Sequence, residues 1–151
     1  MSKEKLEEIK KEAKSLAEKK SWIKKGFKEL LKEINDELKE TLGEAEINYW
    51  KTIVDFHHNN RNDYFHPESD GEKTVFCINE YGRLEIACYA YRGKWKYDFG
   101  FSIDKMETTN IRKALEELPP FLNDLLEYIK SRNKNVEEVK GKIENVLEKF
   151  N

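Results

Sequence analysis

All three histidines of the chain fall within one short segment, at His57, His58 and His66, with Asp55, Asp63, Glu68 and Asp70 around them. Imidazole and carboxylate donors suit Zn, Mn or Fe, and three protein ligands with an open position activate water for hydrolysis. His57, His58, His66 and Asp63 are therefore the candidate ligands of a divalent metal. Arg61 beside them is a candidate phosphate contact, which opens a metal-dependent hydrolase or nuclease reading. The spacing limits that reading. There is no H-E-x-x-H, no zinc-finger spacing and no match to a His-Asn-His nuclease. A PD-(D/E)xK site fails because Ile86-Ala87 follows Glu85 where a lysine is needed. Adjacent histidines on a strand point to opposite faces, so there His57 and His58 would not share one ion. The other reading is a polar loop closed by an Asp70-Gly71 turn.

Nucleophilic and nucleotide chemistry find less. Cys77 and Cys88 form no C-x-x-C pair and read as small buried thiols of a reducing compartment. No serine stands in a G-x-S-x-G context, and the seven glycines form neither a P-loop nor a dinucleotide fingerprint. No catalytic residue is assigned and no cofactor is expected, a divalent metal at the histidine segment excepted.

Two surfaces have the composition of binding sites. Tyr89 and Tyr91 stand among Arg92, Lys94 and Lys96, and tyrosine offers large contact area with little loss of entropy. Lys20, Lys24, Lys28 and Lys32 recur every four residues on one side of a helix, a stripe suited to phosphate or an acidic partner. The bland alternatives are a wet sheet face and a solvated helix face with Glu29, Glu33 and Asp36 as counter-charges.

The elements that must position these residues are legible as patterns. Leu6, Ile9, Ala13, Leu16, Ile23, Phe27, Leu30 and Ile34 follow heptad spacing, interrupted at Lys20. Residues 3–42 are thus one long helix or a helical hairpin, with Gly43 as its C-cap. Lys3–Lys20 is thin in large apolar residues and reads as an arm or a dimer seam. Ile47–Phe56 leans to a strand. Thr74–Ile78, Arg83–Tyr91 and Lys94–Phe101 read as an antiparallel meander, the last two joined through Arg92-Gly93. Opposing Tyr91 to Lys94 pairs Ala90 with Trp95, Cys88 with Tyr97, Ile86 with Phe99 and Leu84 with Phe101, small against large on one face. The first strand's register stays open. A three-residue turn puts Phe76 and Ile78 inward, and a four-residue turn puts Val75 and Cys77 there. Three helices are expected after the sheet: Asn110–Leu118, Phe121–Arg132 after Pro119-Pro120, and Val136–Phe150 capped from Asn135.

The expected fold is α+β in one domain: arm 1–42, an antiparallel meander of three to five strands within 44–104, and C-terminal helices in 108–151. Charged residues make up 38% of the 151-residue chain, yet the net charge is only −2, so no global pull toward nucleic acid or membrane exists. Charge is uneven, with a net of +2 over 1–42 and −4 over 43–107. No signal peptide or membrane span is read from the sequence, which points to a cytoplasmic protein without a membrane partner. The leading expectation is a non-enzymatic protein-binding module, of inhibitor, immunity or adaptor type, working through the sheet face or the helical arm. A dimer through the N-terminal helix is compatible with it. The alternatives are the metal-dependent hydrolase or nuclease and a nucleic-acid binder using the lysine stripe.

Overall fold

The computed structural model describes residues 2–57, 71–91, 95–98 and 103–150. In chain order it has helix α1 (Lys3–Glu44), strands β1 (Tyr49–His57), β2 (Gly71–Ile78), β3 (Leu84–Tyr91) and β4 (Trp95–Asp98), a 3-10 turn (Ile103–Lys105) and helix α2 (Thr108–Phe150). Two compact units divide the chain, Met1–Leu115 and Glu116–Asn151, with the boundary inside α2.

These elements correct the expected fold class. The chain is dominated by two helices of 42 and 43 residues, and the C-terminal region is one helix where three were expected. The strands follow α1 in the chain and form one sheet in the order β1-β2-β3-β4, each neighbouring pair antiparallel.

Helix α1 is continuous through Ser21-Trp22 and Gly26. Its interior is mostly Lys, Glu, Leu and Ala, all strong helix formers. The Ser2 hydroxyl accepts from the Lys5 N–H at 3.2 Å and caps the first turn. At the other end Gly43 is not the cap. The Ile47 N–H bonds the Leu42 carbonyl at 3.1 Å and the Glu46 N–H bonds the Gly43 carbonyl at 3.1 Å. Glu46 takes the left-handed φ of 55° between them, which makes a Schellman motif. Its hydrophobic closure is Leu42 with Ile47, both buried.

Gly43 serves a different purpose. A Cβ there would stand 2.8 Å from the Tyr81 carbonyl oxygen. Gly82, at φ 80°, lies so close that its own Cβ would strike the Lys39 carbonyl and the Gly43 nitrogen. Two facing glycines thus let the β2–β3 turn sit directly on the last turns of α1. Asn79 organises that turn: its Oδ1 accepts from the Tyr81 and Arg83 N–H groups at 2.9 and 3.0 Å. The Asn79 N–H bonds the Arg83 carbonyl at 2.9 Å, leaving a three-residue loop of Glu80, Tyr81 and Gly82.

That loop settles the register left open by sequence. Ile78 pairs with Leu84 and Phe76 with Ile86, and all four are buried. On the alternate face Val75 and Ala87 are also fully buried and cluster with Cys77. A face expected to be wet is therefore dry at its centre. The β3–β4 register is corrected as well. Tyr91 pairs with Trp95, Ala90 with Lys96, Tyr89 with Tyr97 and Cys88 with Asp98, one residue away from the expected ladder. Alternation specifies register only when one face is apolar. On β3 that contrast is missing, since Ala87 is as buried as its neighbour Ile86 on the other face. Strand β1 pairs with β2 and carries an irregularity between Thr52 and Val54.

In the first unit α1 packs along β3. Its buried stripe is Phe27, Leu31, Asn35 and Leu42, and Met106, Ile111 and Ala114 are buried at the start of α2. In the second unit Leu118, Phe121 and Leu125 are buried, and from Ser131 to Phe150 every residue except Gly141 is exposed. Pro119 and Pro120 do not end the helix. The buried positions Ile111, Ala114, Leu118, Phe121 and Leu125 keep a 3-4 spacing across them, while both prolines are exposed. Each proline supplies no N–H to the carbonyl four residues before it, at Leu115 and Glu116, and both of these residues are exposed. Asn135 is likewise interior to α2 and caps nothing.

Candidate functional site

Asn35 is the one buried polar side chain in the described core. Its Nδ2 donates to the Leu84 carbonyl at 2.9 Å, and its Oδ1 accepts from the Leu84 N–H at 2.6 Å. Leu84 pairs with Ile78 one step beyond the hydrogen-bonded Asn79–Arg83 pair. Its own backbone groups therefore point away from β2. The Asn35 amide takes the place of a neighbouring strand there. Sequence reasoning passed over Asn35. The signal was present, since Phe27, Leu31 and Asn35 are four apart on one stripe and an asparagine stands where an apolar residue is due.

Beside this contact α1 and the start of β3 enclose a groove of about 530 Å³. Leu31, Leu84, Ile86 and Ile103 are its apolar walls. Lys28, Lys32, Lys39 and Arg83 line it together with Asp36 and Glu85. No histidine, cysteine or serine is among the lining residues, and the groove offers a ligand cationic and apolar contacts.

The lysine stripe is largely engaged within the molecule. Lys24 Nζ donates to the Asp104 carbonyl at 2.7 Å, and Lys28 Nζ reaches Asp104 Oδ1 at 2.6 Å. Both lysines thereby hold the 3-10 turn against α1. Lys32 pairs with Asp36 at 3.4 Å. Lys20 is exposed and makes no ion pair among the described residues.

The tyrosine surface is placed by backbone register alone. Tyr89 and Tyr91 stand opposite Tyr97 and Trp95, and Lys96 stands opposite Ala90. Arg92 and Lys94 lie outside the described residues. So do His58, Asp63 and His66, while His57 ends β1 opposite Gly71. Three of the four candidate metal ligands thus lie outside the described residues.

Cys77 is buried beside Glu85, its Sγ 3.7 Å from the Glu85 carbonyl and 3.8 Å from Oε1. Burial pushes the thiol from 9.0 up to about 12, and repulsion by the Glu85 carboxylate and the hydrogen bond to it add to the shift. The native state thus holds this proton where the unfolded chain releases it. Its contribution to stability is intact below about pH 9 and is lost as the pH rises toward 12. Urea denaturation at about pH 8 and about pH 10.5 checks this. Cys77→Ala is expected to lose less stability between the two pH values than the wild type does. An equal loss would mean that the thiol does not ionise on unfolding.

The remaining candidate surface is the pair of helical arms. In α1, Leu6, Ile9 and Leu16 are 45%, 56% and 54% exposed. Ile9, Ala13 and Leu16 line an open depression flanked by Lys5, Glu8, Glu12 and Lys19. In α2, Val136, Val139, Ile143, Val146, Leu147 and Phe150 are all more than half exposed. Among the described residues no helix is long and apolar enough to cross a membrane. Comparison with known proteins finds no family model that matches the chain, no similar curated protein and no similar solved structure.

Proposed function

We propose that the protein is a non-enzymatic protein-binding module that captures its partner through its helical arms. The observation carrying this reading is the apolar stripe of the first α1 turns, exposed yet kept at seam spacing on a capped helix. Isolated exposed apolar residues need no explanation, but a periodic row of them along one helix face suits a docking helix. Burying such a row is the principal source of stability in helix-to-helix recognition.

Charge disfavours a second copy of the α1 arm as the partner. In a parallel pair, Lys5 would meet Lys10 across the seam and Lys20 would meet itself within it. In an antiparallel pair, Glu12 would face Glu12 and Lys10 would face Lys10. Like charges at these positions are destabilising.

Quantitative affinity capture from the source cells tests the proposal, with circular dichroism as the control for folding. The double variant Leu6→Asp/Leu16→Asp is expected to lose the captured partner, and Tyr89→Ala/Tyr91→Ala to keep it. The opposite pattern would move the binding surface to the sheet. Retention by both variants would remove both surfaces.

A further inference from the structure

We infer that the exposed seam at the end of α2 docks an amphipathic helix of another protein whose apolar face is flanked by acidic residues. This rests on the helical-arm reading and names its partner chemistry. Val136, Val139, Ile143, Val146 and Phe150 recur at spacings of three and four, the a and d positions of two heptads. All five are more than half exposed. Around this seam the charges are segregated. At roughly 100° per residue, Lys140, Lys142 and Lys149 fall at the two borders of the apolar stripe. Glu137, Glu138, Glu144 and Glu148 fall farther round, on the outer face. Lys140 leans back to Glu144 at 3.7 Å, an exposed pair that is cheap to exchange. Arg132 lies one step before Val136 on the same stripe and is exposed.

From Val136 onward the cations of this helix all border its apolar stripe and its acids turn away, which is complementary to acidic borders. Border charges at these positions choose partners. Other occupants fit less well. An antiparallel second copy would set Lys140 against Lys140 and Lys142 against Lys142. A parallel second copy offers no acid to any of the three lysines. The α1 seam is bordered by Lys5, Lys10 and Lys19 with Glu12 as its one acid, which is again the wrong sign. Two heptads make a small interface, so the complex should be transient and sensitive to salt.

The probes are two fluorescein-labelled synthetic helices with one identical Ile/Leu seam, bordered by Glu in one and by Lys in the other. Fluorescence anisotropy with the full chain is expected to show the Glu helix binding at least roughly tenfold tighter than the Lys helix, with the preference weakening in high salt. K140E/K142E/K149E is expected to invert the preference, and Ile143→Asp to abolish binding. All these residues are exposed, so the fold tolerates the changes, and helicity is checked by circular dichroism. Equal binding of both probes would overturn the charge selection while leaving apolar arm capture standing. Binding of the Glu helix unchanged by Ile143→Asp would overturn the assignment to α2, as would no binding of either probe. A dimer in sedimentation velocity that Ile143→Asp dissolves would make a second copy the occupant and overturn the inference. The capture experiment with Leu6→Asp/Leu16→Asp judges the helical-arm reading separately.

Discussion

Asn35→Leu is expected to destabilise the Met1–Leu115 unit by about 4 kcal/mol, although it replaces a buried amide by an apolar side chain of similar volume. An isosteric apolar swap in a core is usually mild when both partners of a hydrogen bond are removed together. Here only one partner leaves. The N–H and C=O of Leu84 remain, buried and facing the place where the amide stood. Each unpaired buried backbone group costs about 1–3 kcal/mol, and two are created at once. Asn35→Asp separates the donor from the acceptor. A carboxylate can still accept from the Leu84 N–H but presents oxygen to the Leu84 carbonyl, so it should be comparably damaging at neutral pH and partly recover in acid as the carboxyl protonates. Urea denaturation measures both variants. A loss below about 1 kcal/mol for Asn35→Leu would mean that water replaces the amide and that the α1–β3 contact does not depend on it.

Gly82→Ala is expected to cost about 3 kcal/mol or more, the second large effect. Two penalties combine. The left-handed φ of 80° disfavours any L side chain by about 1–2 kcal/mol. The added methyl also meets backbone, the Lys39 carbonyl and the Gly43 nitrogen, which cannot rotate away as a side-chain tip can. The turn must therefore lift off α1. Gly43→Ala pushes on the same contact from the other side, toward the Tyr81 carbonyl. The double variant should thus be less unstable than the sum of the two single changes, because a contact already opened is not opened twice. Additive losses in a denaturation cycle would show that the two glycines act independently and that the turn is not seated on the helix as a unit.

Some of this molecule was legible as local pattern. The heptad run from Leu6 to Ile34 marks α1, and the thinning of large apolar residues before Lys20 marks the stretch that the structure leaves exposed. Cys77 reads as a buried thiol from its place in an apolar strand, and it is one. The phosphate-stripe reading of Lys24 and Lys28 was not resolved by pattern, since their partner Asp104 lies 80 and 76 residues away. A counter-charge that distant leaves no trace in helical periodicity.

What the sequence alone determined was which segments are helix-forming or strand-forming, because periodicity and propensity act over a few residues. The tertiary structure decided the rest. Prolines that locally stop a helix lie inside α2, whose buried residues keep their spacing through them. A glycine suited to a cap became a close-approach point, since Glu46 could take the left-handed position once Leu42 and Ile47 closed over it. The β3–β4 register moved by one residue, and at Ile86 and Ala87 of β3 both faces are buried, which removes the contrast that alternation relies on. Asn35 found its role only when folding placed it against Leu84, 49 residues away. In each case local preference amounts to a few kcal/mol at most, and long-range burial and pairing of comparable size overrule it.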